Sequence, residues 1–294
     1  MSTIALIGFG EAAQAFAAGW KTVENSPIET RVSTFDIKID NADQRSGLLD
    51  SCARLDILCG ETPREATAGR SAIFSLVTAD RALQAAIMAA PHLDASALYL
   101  DCNSCSPSTK VAAAKIVEAA GARYVDVAVM APVHPARHRT PLLLAGGSAA
   151  AAGILLTGLG MNARIAGDRV GQASSIKMLR SVMIKGFEAL TAECVLAARR
   201  AGVEDAVLAS LQASDPGIDW RARSSYNLER MMVHGTRRAA EMEEVAVTLR
   251  DLGLPDGMAS AAVGWQRRIG NLGLDAADLS LDQRVDRILE RLLS

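Results

Sequence analysis

A short apolar run, Thr3-Ile4-Ala5-Leu6-Ile7, ends on Gly8-Phe9-Gly10-Glu11-Ala12-Ala13, and this junction constrains the fold more than any other segment. The first glycine suits a tight turn from strand to helix, and the second lets backbone approach a pyrophosphate. A small side chain at Ala13 permits close packing of helix on strand, and a helix N-terminus stabilises the anion. Asp36 closes the next apolar run, where an acidic residue accepts hydrogen bonds from an adenosine ribose. Its charge opposes a 2′-phosphate and favours NAD, while nearby Lys38 offsets that repulsion and leaves NADP open. The plainer alternative is a glycine turn in an unrelated α/β protein, with Asp36 merely ending a strand.

The first half of the chain repeats this pattern. Apolar runs at residues 3–7, 31–36, 71–77, 98–101, 123–127 and 141–145 alternate with helical stretches at 12–21, 42–52, 80–89 and 107–119. That alternation predicts a parallel sheet of Rossmann type, with one further strand expected near 55–58. After Gly171 the character changes. Residues 172–200 contain one glycine and no proline, and Ile176, Leu179, Met183, Phe187, Leu190 and Cys194 recur at steps of three and four. Such spacing predicts one helix with a single apolar stripe, about 40 Å long. It is long enough to join two domains or to line a dimer interface. Further helices are expected at 204–212, 224–252, 255–268 and 281–292. The chain therefore divides into an α/β domain over 1–166 and an all-α domain over 167–294.

Composition narrows the partners. A length of 294 residues suits two domains, and 50% apolar residues suffice for two ordinary cores. A net charge of −2 gives no electrostatic reason to bind nucleic acid or an anionic membrane, and 4% aromatic residues offer few stacking platforms. No apolar run is long enough to span a bilayer, and the first strand leads straight into a glycine turn with no leader-like segment before it. Five cysteines without a regular framework fit a reducing cytoplasm. The long helix and its apolar companions exceed what a domain of this size can cover, which predicts a homodimer.

Gly167-Asp168-Arg169-Val170-Gly171 precedes the long helix, Lys177 lies in its first turns and Ser181 follows one turn later. A lysine aimed at the C-terminal edge of the sheet can give a proton to a carbonyl as hydride arrives and withdraw one in reverse. The alternative is a solvated helical lysine. The order of the Gly8–Ala13 fingerprint, the Asp101-Cys102-Asn103-Ser104-Cys105-Ser106-Pro107 loop, Asp126-Val127-Ala128-Val129-Met130-Ala131-Pro132, Gly146-Gly147 and Gly171 to Lys177 resembles the β-hydroxyacid dehydrogenases. These are related to the 6-phosphogluconate and 3-hydroxyisobutyrate dehydrogenases. The segment from Met231 to Met242 is similar to a branch with a C-terminal domain of unknown function.

The resemblance implies a Rossmann domain followed by a helical domain for substrate binding and dimerisation, with Lys177 as the catalytic lysine and Ser181 beside it. It also implies cofactor contacts from Leu76-Val77, and from Ser104 and Asn103 near the nicotinamide ribose. Where the family carries a Ser-Gly-Gly that holds a substrate carboxylate, this chain has Met130-Ala131-Pro132, and Pro132 has no N–H to donate. A replacement anion site is expected from His134, Arg137, His138 and Arg139 in the following loop, and from His234 and Arg238 in the helical domain. Cys102 and Cys105 have CxxC spacing without a second pair, and Pro135 separates His134 from His138, so no metal site is predicted. The expected activity is hydride transfer between nicotinamide and an alcohol or carbonyl carbon of a small polar or anionic substrate. An imine reductase on the same scaffold and a non-catalytic nicotinamide sensor are the rivals, and Lys177 argues against both.

Overall fold

The computed structural model describes residues 2–24, 28, 31–276 and 278–294. They form two compact units, Met1–Met178 and Leu179–Ser294.

The first unit is built on an eight-stranded sheet. In chain order its elements are β1 (Ile4–Ile7), α1 (Glu11–Trp20), β2 (Ser33–Phe35), α2 (Ala42–Arg54), β3 (Leu58–Cys59), α3 (Pro63–Thr67), β4 (Ala72–Ser75), α4 (Ala82–Ala89), β5 (Leu98–Asp101), α5 (Pro107–Ala119), β6 (Arg123–Val129), β7 (Leu142–Ala145), α6 (Ala149–Gly158) and β8 (Ala163–Gly167). The strand order is β3-β2-β1-β4-β5-β6-β7-β8, parallel through β6, with β7 antiparallel to β6 and β8 parallel to β7. Strands β1, β4 and β5 are buried along their whole length, as continuous apolar runs in a helix-covered parallel sheet require. The chain winds outward from β1 to β2 on one side and from β4 on the other. The crevice at the ends of β1 and β4 is therefore the topological switch point, where such sheets bind ligands.

Three pieces went unanticipated: the short helix α3, helix α6 and strand β8. Helix α6, Ala-Ala-Ala-Ala-Gly-Ile-Leu-Leu-Thr-Gly, is apolar on every side and so carries no periodic signal. Strand β8 is a half-exposed edge strand containing Arg164, and lacks the apolar run of an interior strand. The division between units also falls at Met178/Leu179 rather than at the expected 166/167. A cut at 166/167 would sever β8, and the first turn of the long helix is bonded to β6.

The second unit holds most of α7 (Gln172–Arg200), then α8 (Glu204–Ser214), α9 (Trp220–Asp251), α10 (Gly257–Gly270) and α11 (Leu281–Leu293). Its core gathers Val195, Leu196, Leu208, Leu228, Met231, Met232, Ile269, Val285 and Ile288. Helices α9 and α10 touch backbone to backbone at two glycines. A Cβ on Gly235 would lie 2.4 Å from the Gln266 carbonyl oxygen, and one on Gly270 would lie 2.4 Å from the Thr236 nitrogen.

The stripe expected on α7 is only partly in the core. Ile176, Leu179, Met183 and Leu190 are 45%, 42%, 70% and 52% exposed, while Met178, Ser181, Lys185, Glu188, Ala192 and Val195 are buried. The helix thus has an exposed apolar face and a buried face that carries several polar groups. The polar one turns inward because its groups are paired: Lys185 with Glu241 at 2.8 Å, Glu188 with Arg238, and Thr191 with Asn227 at 2.9 Å.

Candidate active site

The glycine turn is built as its spacing predicted. Gly8 has φ +87°, and a Cβ there would lie 2.7 Å from the Leu76 carbonyl oxygen and 2.9 Å from Val77 Cγ1. Only glycine allows β1 and β4 to end this close together. Gly10 is the N-cap of α1, provides no side-chain cap, and has open space where a Cβ would be. Ala13 is fully buried against the sheet, whereas Glu11 is exposed and Ala12 half-buried. The Phe9 amide donates to Asp36 Oδ2 at 2.7 Å and the Lys38 amide to Oδ1 at 3.0 Å. Asp36 is thus buried and anchored to the turn, with one backbone donor on each carboxylate oxygen.

At the neighbouring strand end, Lys177 Nζ donates to Ser104 Oγ at 2.6 Å. Ser104 belongs to the loop after β5, so the amine lies against the C-terminal edge of the sheet. Asn103 braces this loop. Its Oδ1 accepts from the Val77 amide at 2.7 Å, and its Nδ2 donates to Ser75 Oγ at 2.9 Å. Leu76, Val77, Asn103, Ser104 and Lys177 are accordingly brought together within the first unit.

Beneath them is a buried charged cluster that sequence reasoning missed. Lys110 Nζ donates to Asp101 Oδ1 at 2.9 Å and to the Asp101 carbonyl at 2.5 Å, and stands 3.6 Å from Asp126 Oδ1. Asp101 also accepts from the Asn103 amide at 3.0 Å and from the Tyr124 hydroxyl at 2.6 Å. Asp126 Oδ2 accepts from the Gly171 amide, the Ser174 amide and Ser174 Oγ, at 3.0, 3.0 and 3.1 Å. Burial opposes the charge on Lys110, but Asp101 and Asp126 outweigh it and hold its pKa above the ordinary lysine range. One signal was available: Lys110 occupies the apolar face of α5 with Ala113, Ala114 and Val117.

The expected substrate groups are arranged differently. Met130 donates its amide to the Pro141 carbonyl at 2.9 Å and packs on Ala128, Leu143, Ala145 and Ala173, while Ala131 and Pro132 are exposed. The loop that follows is anchored on α1 by His138. A Cβ on Gly19 would lie 2.0 Å from His138 Nδ1, about 13 Å along the helix from Gly10. Burial, with Arg139 and Arg137 adding, lowers the pKa of His138. His138 is therefore a packing residue, and His134, Arg137 and Arg139 stand exposed around it.

In the helical unit, Arg238 does not serve as an open anion site. Its Nε and Nη2 are both bonded to Glu188, which also accepts from Gln266 at 2.7 Å. Ser181 Oγ accepts from Lys185 Nζ at 3.2 Å, and His234 is half-buried on α9. The Cys102 thiol, part of the CxxC spacing, is buried and its pKa is pushed up to about 12, which opposes thiolate chemistry.

Residues 3–163 match the family model described as the NAD binding domain of 6-phosphogluconate dehydrogenase. The chain belongs to that family. Residues 198–269 match a second model, a domain of unknown function (DUF1932). A conserved hypothetical protein from Sinorhizobium meliloti 1021 is 37% identical, with a TM-score of 0.74 over 99% of this chain and 97% of its own. A conserved protein described as structurally similar to 3-hydroxyacid dehydrogenases is 28% identical, with a TM-score of 0.68 over 92% and 97%. Mycobacterium tuberculosis 3-hydroxyisobutyrate dehydrogenase shares the fold at 14% identity, with a TM-score of 0.72 over 97% and 98%. The reductive aminase of Aspergillus terreus shares it at 18% identity and a TM-score of 0.55, over 97% and 99%. An uncharacterized protein of Methanothermus fervidus is 27% identical over 148 residues, which is 50% of this chain and 56% of that curated relative.

Proposed function

We propose that this protein is an NAD-dependent oxidoreductase acting between a hydroxyl and a carbonyl carbon of a small polar or anionic substrate. The observation that carries the reading is the Lys177 amine held 2.6 Å from Ser104 at the sheet edge. The residues present fit a dinucleotide. A positive-φ glycine opens the turn, and open space at Gly10 faces an uncapped helix start whose N–H groups suit a diphosphate.

When bound, the nicotinamide supplies a two-electron hydride acceptor or donor. The chain supplies the rest. Amides at the start of α1 would hold the diphosphate, and Leu76, Val77, Asn103 and Ser104 would border the cofactor. Lys177 Nζ carries the proton of the substrate oxygen, and Ser104 Oγ fixes the direction of that amine. Asp36, whose carboxylate accepts from the Phe9 and Lys38 amides, would set its charge against a 2′-phosphate and so favour NAD over NADP. The exposed apolar face of α7 supports a homodimer, and the five free cysteines support a cytoplasmic setting.

The test is Lys177→Met, assayed on a panel of hydroxy acids, sulfonates and alcohols by absorbance of the reduced cofactor. Turnover falls by about 10²–10⁴, while NAD affinity by calorimetry stays close to that of the parent. Undiminished turnover in the variant overturns the assignment. Reduction of cyclic imines that survives the substitution points instead to C=N chemistry.

A further inference from the structure

The Lys110 cluster has a feature that ordinary core packing does not explain. Three ionisable side chains, Lys110, Asp101 and Asp126, are fully buried together and carry one more negative than positive charge. Apolar residues in their place would avoid the cost of desolvating ionised groups. Each carboxylate reaches a different half of the amine site. Asp101 holds the Asn103 amide, and Asn103 in turn braces Val77 and Ser75. Ser104 is the next residue in that loop. Asp126 binds the Gly171 and Ser174 amides at the start of α7, six and three residues before Lys177. A carboxylate at a helix N-terminus is itself stabilising and also fixes the rotation of the first turn. Asp126 Oδ1 accepts no hydrogen bond among the described residues and faces the Lys110 ammonium.

We propose that Lys110 is a positioning residue of the Lys177 site: its buried ammonium holds Asp101 and Asp126 together, and they fix the loop that presents Ser104 and the helix start that presents Lys177. On this reading the bond between Lys177 and Ser104 depends on a charge that acts on it through Asp101 and Asp126. Without Lys110, two buried carboxylates face each other with no counter-charge, and either one takes up a proton or the two elements separate. Both outcomes loosen the register between loop and helix. This inference rests on the reading of Lys177 as the proton-carrying group for its kinetic consequence only.

The experiment uses Lys110→Met in the full chain, with folding checked by circular dichroism. The first readout is the rate of reductive methylation of each lysine, followed by peptide mass spectrometry. Lys177 is labelled about fivefold faster in the variant, the factor that losing one ordinary hydrogen bond allows, with little change at Lys38 or Lys185. Uniform acceleration at every lysine, or an unchanged rate at Lys177, overturns the proposal. The second readout is kinetic: kcat falls about tenfold or more through misplacement of the amine, while cofactor affinity is retained. If Lys110→Met does not fold, Asp126→Asn, nearly identical in volume, is measured in the same way and must show the same selective rise at Lys177. A parent protein that turns over no substrate while the labelling pattern holds would count against the dehydrogenase reading and leave the positioning role standing.

Discussion

Gly8 shows how one missing carbon decides a site. Its φ of +87° is unfavourable for any L side chain, and the position of a Cβ is already occupied by the Leu76 carbonyl at 2.7 Å. Gly8→Ala therefore combines backbone strain of about 1–2 kcal/mol with a contact that forces β1 and β4 apart. The expected outcome is a lower Tm together with a marked loss of NAD affinity, read by thermal melting and calorimetric titration. A variant that binds NAD like the parent would refute the placement of the diphosphate at this turn. Asp36 was also legible in the sequence as the acidic residue closing the second strand. That its two oxygens accept from Phe9 and Lys38 was not, because those bonds depend on how the turn folds back over β2. The pairing of Lys110 with Asp101 and Asp126 escaped notice because three ordinary charged residues on three different elements have meaning together only once β5, β6 and α5 stand side by side.

Among the elements, helix boundaries followed closely from sequence where apolar spacing was regular. Helices α5 and α7 match their expected limits of 107–119 and 172–200. Helix α6 failed because an all-apolar helix has no contrast between its faces. The crossing of α9 and α10 also depends on absent side chains, since Gly235 and Gly270 allow backbone contact. Gly235→Ala must push the helices apart, and is expected to destabilise by about 1–3 kcal/mol, the usual cost of overpacking. Chemical denaturation followed by far-ultraviolet circular dichroism measures this. A change below about 0.5 kcal/mol, typical of unconstrained surface sites, would show that the crossing tolerates a methyl group. The anion-binding role expected of Arg238 failed for an electrostatic reason. Glu188 on α7 takes both ends of its guanidinium, and no local pattern on α9 reveals a partner fifty residues away.

For the molecule as a whole, the open question in a single chain is the outer face of α7. Ile176, Leu179, Met183 and Leu190 stay exposed along one line of the helix while the polar face turns inward. These exposed apolar side chains are the basis of the proposed homodimer, in which a second copy of this chain would cover them across a two-fold axis. Light scattering coupled to size exclusion is expected to give twice the 30.9 kDa chain mass. A Met183→Glu, Leu190→Glu pair is expected to return it to the monomer mass. A parent protein already at monomer mass at micromolar concentration would refute the dimer.

By itself the sequence determined the class of fold and the glycine turn, because hydrophobic period, glycine conformation and strand-to-helix order are local properties of the chain. Lys177 was singled out as catalytic only by the family resemblance. Tertiary structure alone decided which charges neutralise one another. Lys110 binds Asp101 and Asp126, Glu188 binds Arg238, and His138 packs on Gly19 rather than facing a ligand. The physical reason is that a charge acts on whatever lies within a few ångströms, and in a folded chain those neighbours come from segments far apart in sequence.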